Sequence, residues 1–77
     1  MKKSRVLYLE VAEKIKEDIF SGKYPVGTML PTETELEKLF GVSKITVRKA
    51  IELLAADEYV EKKSGKGTTV LSERPYN

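Results

Sequence analysis

Residues 31 to 50 read P-T-E-T-E-L-E-K-L-F-G-V-S-K-I-T-V-R-K-A, and few folds accommodate that order. Thr32, followed three residues later by Glu35, forms a capping box and predicts that a helix starts at the threonine. Leu36, Leu39 and Phe40 are expected to be the buried face of that short helix, and Gly41 stops it. Val42 fills the corner. Ser43 then caps a second helix whose apolar stripe is Val47, Ala50, Ile51 and Leu54. A short helix, a tight turn and a helix that opens with hydroxyls and cations make the layout of a helix-turn-helix. In that motif the first turns of the second helix enter the major groove of a duplex.

The flanking segments extend this unit on both sides. Apolar residues at positions 8, 11, 12, 15, 19 and 20 follow helical spacing, and Ser21-Gly22 ends that first helix. Tyr24 to Gly27 predicts a turn, and Thr28-Met29-Leu30 a short strand. After Ala56 the period changes. Tyr59 to Lys63, then Ser64-Gly65-Lys66-Gly67, then Thr68 to Leu71 read as strand, turn, strand. The expected fold is mainly α with a small antiparallel sheet: a winged helix-turn-helix of three helices plus a β-hairpin, covering residues 7–71. Residues 1–6 are expected to be a flexible arm, and residues 72–77 the start of an interdomain linker.

Size and chemistry narrow the function classes. A chain of 77 residues is near the lower limit for one self-sufficient core, and with no cysteine neither disulfides nor thiolate–metal bonds brace it. It also has no histidine, the commonest general base and metal ligand. Glu33, Glu35 and Glu37 alternate around a helix rather than converging, and Glu35 already serves a cap. No catalytic residue, metal site or cofactor is expected. Gly65-Lys66-Gly67 is followed by a strand-like Thr-Thr-Val, not by the helix that a nucleotide phosphate loop requires. Without a long apolar run or signal peptide, a cytoplasmic chain with no membrane partner is expected.

The net charge is only +2, so the distribution of cations matters more than their sum. Lys44, Arg48 and Lys49 lie on the second helix of the motif, and Lys62, Lys63 and Lys66 on the hairpin. Phosphates of a duplex would meet both places. Ser43, Lys44, Thr46 and Arg48 face outward from the start of that helix, where hydroxyls and free amides suit phosphate oxygens. Lys44 and Arg48 lie one turn apart and reach the same side. Structural alternatives are a local cap for Ser43 and an Arg48–Glu52 ion pair for the arginine.

Three motifs in order then match a known family. G-K-Y-P-V-G-T-M-L-P-T-E-T-E-L from Gly22, F-G-V-S-K-I-T-V-R-K-A-I from Phe40 and G-K-G-T-T-V from Gly65 strongly resemble the N-terminal domain of GntR-type bacterial regulators. The opening L-Y-L-E-V-A-E-K-I-K looks most like the subgroup typified by the histidine-utilisation repressor. The resemblance implies a metabolite-responsive repressor that binds an inverted-repeat operator in double-stranded DNA as a homodimer. Dimerisation and effector binding would reside in a C-terminal domain absent from these 77 residues. It places Lys44, Thr46 and Arg48 on the DNA face, and Gly65 with Lys66 at a wing tip entering the minor groove. Thr34 stands where many members carry a base-reading arginine, and Glu58 where the family usually has glycine. Together the two readings nominate Thr32, Thr34, Ser43, Lys44, Thr46, Arg48, Lys49, Ser64, Gly65, Lys66 and Gly67 as the DNA-binding set.

Two other classes compete. A winged helix can dock protein instead of DNA, but a docking face would expose aromatics where this chain has cations. An RNA-binding sheet would stack bases on aromatics, whereas Tyr59 and Tyr76 are isolated.

Overall fold

The computed structural model describes residues 7–63 and 67–71. Helices α1 (Leu7–Phe20), α2 (Glu33–Phe40) and α3 (Lys44–Ala56) precede strands β1 (Val60–Lys63) and β2 (Gly67–Val70). The expected arm at 1–6, hairpin tip at 64–66 and linker at 72–77 lie outside the described residues.

Each helix stops for a local reason. Gly22 takes φ 91°, which lets its N–H reach Ile19 O at 3.1 Å and the Lys23 N–H reach Asp18 O at 2.9 Å. These two reversed bonds satisfy carbonyls that the end of α1 would otherwise leave bare. Gly41 does the same work for α2 at φ 67°, and the Val42 N–H returns to Glu37 O at 3.2 Å. At the end of α3 the same motif recurs with a side chain in place. Glu58 sits at φ 66°, its N–H bonds Ala55 O at 3.0 Å, and the Tyr59 N–H bonds Leu54 O at 2.9 Å. Glu58 is the one non-glycine at positive φ among the described residues. The glycine-type turn is therefore made, with glutamate bearing the left-handed strain.

The core collects one stripe from each element. Val11, Ala12, Ile15 and Ile19 of α1 meet Val47, Ala50, Ile51 and Leu54 of α3, with Leu36 from α2. Tyr59, Val60 and Val70 close it from below the hairpin, and Val60 and Val70 face one another across the two strands. The ladder is antiparallel and runs outward through Glu61↔Thr69 and Lys62↔Thr68 to Lys63↔Gly67. Only its base is buried, so the basic outer half stands clear of the core.

Two expectations need correction. Leu39 is 59% exposed, not part of the buried face of α2. In a helix of eight residues only Leu36 points straight at α3, with Phe40 and the corner residue Val42 packed partly against the core beside it. The strand expected at Thr28 to Leu30 contracts to a single bridge, Met29↔Thr69. Leu30 N and Val70 N still donate to Thr68 O and Thr28 O, each at 2.8 Å. Pro31 follows at once without an N–H and Thr32 begins the next helix, so no room remains for a longer ladder.

Ile51→Ala should cost about 2–5 kcal/mol in thermal or urea unfolding, because Ile51 is 1% exposed. Leu39→Ala should stay within about 0.5 kcal/mol of the parent. Glu58→Gly should stabilise the domain by about 1 kcal/mol by removing the left-handed penalty, whereas Glu58→Ala should not. Melting temperatures of the parent and the four variants would check this ranking.

Candidate nucleic-acid interface

Thr32 and Ser43 build the two helix starts on which the site rests. Thr32 Oγ1 accepts from the Glu35 N–H at 3.1 Å, and Glu35 Oε1 accepts from the Thr32 N–H at 2.8 Å. The capping box is thus complete. Ser43 Oγ accepts from the Thr46 N–H at 3.2 Å and donates to Thr46 Oγ1 at 3.1 Å. Both hydroxyls at the start of α3 are consequently tied to one another before any ligand arrives. Lys44 and Arg48 leave the same exposed side of α3, and Thr34 is exposed on the first turn of α2.

The outer half of the hairpin faces this pair of helix starts across a groove of about 620 Å³. Lys44 stands on one wall, and Lys62, Lys63, Gly67 and Thr68 on the other. Thr32, Glu33 and Thr34 form the end contributed by α2. Glu33 ties the walls together: its Oε1 lies 3.4 Å from Arg48 Nη2 and its Oε2 lies 3.8 Å from Lys62 Nζ. One carboxylate on α2 therefore holds a cation from α3 and another from β1. Arg48 finds its partner on α2 rather than at Glu52, the i+4 neighbour on its own helix.

Of the nominated residues, the structure brings Thr32, Thr34, Lys44 and Gly67 into the groove lining, with Arg48 joined to it through Glu33. Ser43 and Thr46 sit at the head of α3 beside Lys44. Lys49 turns elsewhere, its ammonium 5.7 Å from the Tyr8 ring on α1. Ser64, Gly65 and Lys66 lie outside the described residues. Gly67 takes φ 91°, a conformation that suits glycine, and a Cβ there would only require the flexible end of Met29 to shift.

The nomination from sequence left out Glu33, Lys62, Lys63 and Thr68. The lysines were visible as a basic hairpin, but only the fold shows that both border the groove, Lys62 through its pair with Glu33 of α2. No group of three or more potential metal ligands occurs among the described residues. None of their helices is long and apolar enough to cross a membrane. Outside the groove, burial and secondarily the Asp18 carboxylate push the Tyr24 phenol above its usual range.

A helix-turn-helix with a basic hairpin folded back toward its second helix is the geometry that decides kinship. The family of bacterial regulatory proteins called gntR matches this chain over residues 7–70. The chain belongs to this family. It is 42% identical over 73 residues to the probable fructoselysine utilization operon transcriptional repressor of Escherichia coli (strain K12), covering 95% of this chain and 30% of that protein. It is 43% identical over 68 residues to the mannosyl-D-glycerate transport/metabolism system repressor MngR of the same strain, covering 88% of this chain and 28% of that protein. The chain thus spans less than a third of the length of these curated relatives. Among solved structures it resembles the AraR DNA-binding domain in complex with operator ORR3. That match has a TM-score of 0.85 and 37% identity, covering 91% of this chain and 84% of the other. In this GntR-family domain, Glu58 makes the turn before β1 at φ 66°.

Removing a cap should be felt more than removing the exposed ion pairs. Thr32→Ala or Ser43→Ala should each cost about 1 kcal/mol in urea unfolding. Glu33→Gln should change stability by less than about 1 kcal/mol, since both of its partners are largely solvated.

Proposed function

We propose that this chain is the DNA-binding part of a metabolite-responsive transcriptional repressor, and that it reads an inverted-repeat operator in double-stranded DNA. The observation that carries this reading is the basic groove between the head of α3 and the hairpin, with Lys44 on one wall and Lys62 and Lys63 on the other. The first turn of α3 enters the major groove, where Lys44 and Arg48 reach base edges. Ser43, Thr46 and the helix amides meet phosphate oxygens, as do Thr32 and Thr34 at the α2 end. Lys62 and Lys63 hold the backbone alongside, Ser64, Gly65, Lys66 and Gly67 carry the wing toward the minor groove, and Lys49 serves the outer edge of the footprint. Glu33 holds Arg48 and Lys62 in the free protein, and the duplex competes with it for both, a base edge for Arg48 and phosphate for Lys62.

Two repressors among its relatives and an operator complex among its structural neighbours support this reading. The remaining two-thirds or more of such proteins would supply the homodimer interface and the small-molecule site, in a cytoplasmic regulator. A single domain offers few phosphate contacts, so it binds weakly alone and tightly when two copies occupy adjacent half-sites. It performs no catalysis and needs no cofactor.

Fluorescence titrations on cognate and scrambled duplexes over a range of salt test this. Log affinity should fall linearly with log salt, with a slope of roughly −0.9 per phosphate neutralised. Lys44→Ala or Arg48→Ala should weaken the cognate duplex by about 1–3 kcal/mol and the scrambled one less. Lys62→Ala should weaken both alike and reduce the salt slope by about one. A salt-independent interaction, or equal losses on both duplexes for all three variants, would overturn the proposal.

A further inference from the structure

The second residue of α3 is Ile45, and at 68% exposure it is the most exposed large hydrophobic side chain among the described residues. At 3.6 residues per turn it lies opposite the buried stripe of Val47, Ala50, Ile51 and Leu54, flanked by Arg48 on one side and Lys49 on the other. It takes no part in the core. Isoleucine is no better than average as a helix former, so neither burial nor propensity accounts for it there.

The neighbours of Ile45 narrow what it can do. Ser43 and Thr46, the hydroxyls on either side of Lys44 and Ile45, are bonded to one another. Lys44 and Arg48 offer only donors, which suit guanine O6 and N7 or phosphate. Neither distinguishes thymine by its C5 methyl. Apolar contact is how that methyl is sensed, and Ile45 presents the largest exposed apolar group of this turn, whereas Thr46, with its smaller methyl, is half-buried. A β-branched residue in a helix is also held almost wholly in one χ1 rotamer, so its methyls are presented in place and little side-chain freedom is lost on contact.

We propose that Ile45 is a base-reading residue, its aliphatic side chain packing against the C5 methyl of one thymine in the major groove of each half-site. This inference rests on the DNA-binding reading above and adds to it a base and a contacting group. Removing a thymine methyl deletes that contact and leaves every base-pair hydrogen bond intact.

The test uses a duplex selected by this 77-residue chain from a random-sequence pool, with each thymine replaced singly by deoxyuridine. The parent should lose about fourfold in affinity at one thymine per half-site, equivalent to roughly 0.8 kcal/mol for one buried methyl-sized group. Ile45→Ala, whose side chain lies outside the core, should bind the thymine duplex about as weakly as the parent binds the deoxyuridine one, and should be indifferent to that replacement. Ile45→Val should retain the sensitivity. Indifference of the parent to deoxyuridine at every position would overturn the inference, and so would an equal loss in the parent and in Ile45→Ala. Either result leaves DNA binding intact. Failure to enrich any duplex would instead remove the DNA-binding reading and this inference with it.

Discussion

The rest of the domain depends on the packing of α3 against α1. Val47, Ala50, Ile51 and Leu54 are at most 1% exposed, and Ile15 and Ile19 meet them from the other helix. These four positions fall within about a third of the helix circumference, so the opposite face of α3 stays exposed. That face carries Lys44, Ile45, Arg48 and Lys49. One helix thus acts both as the centre of the core and as the outermost surface, and the two roles do not compete for positions. A bulkier residue at position 50 would push α3 off α1 and displace every group on its outer face.

Caps then convert a correctly buried helix into a correctly aimed one. Thr32 with Glu35 and Ser43 with Thr46 fix where α2 and α3 begin, and Gly41 sets the corner between them. The position of Lys44 relative to Thr34 follows from these local bonds more than from any contact between the two residues. The turn from α3 into β1 is the place where local preference and tertiary demand disagree. Glu58 takes a conformation better suited to glycine, and the hydrogen bonds made by its own N–H and by Tyr59 hold it there.

Electrostatically the groove is a cluster of cations restrained by one acid. Glu33 touches cations from two different elements, so in the free protein it limits the repulsion among Arg48, Lys62 and their neighbours. These are partly solvated pairs whose strength falls with salt, and a polyanion can replace the carboxylate at small cost. The modest net charge of +2 is compatible with this because the charge is sorted in space. Asp18, for instance, engages Lys14 and Lys23, outside the groove.

The sequence by itself determined the three helices, where α2 and α3 begin, and the core stripe of α3. Capping boxes, serine caps and glycine stops act over three or four residues, and a 3.6-residue period marks a face without reference to the rest of the chain. The exposed hydroxyl and cations at the head of α3 were legible for the same reason, since Ser43, Lys44 and Arg48 are positioned by that one helix. Only the tertiary structure decided which neighbour covers what. Periodicity places Leu39 beside Leu36, yet nothing local says that no element reaches over it. Arg48 had an acid one turn away in Glu52, but the crossing of α2 brings Glu33 to it first. Lys62 and Lys63 alternate along a strand whose two faces look equally polar in sequence, and the pairing with β2 and Met29 fixes which way they point. Exposure, ion-pair choice and the facing of a hairpin are properties of surfaces meeting, and the chain specifies them only once it has folded.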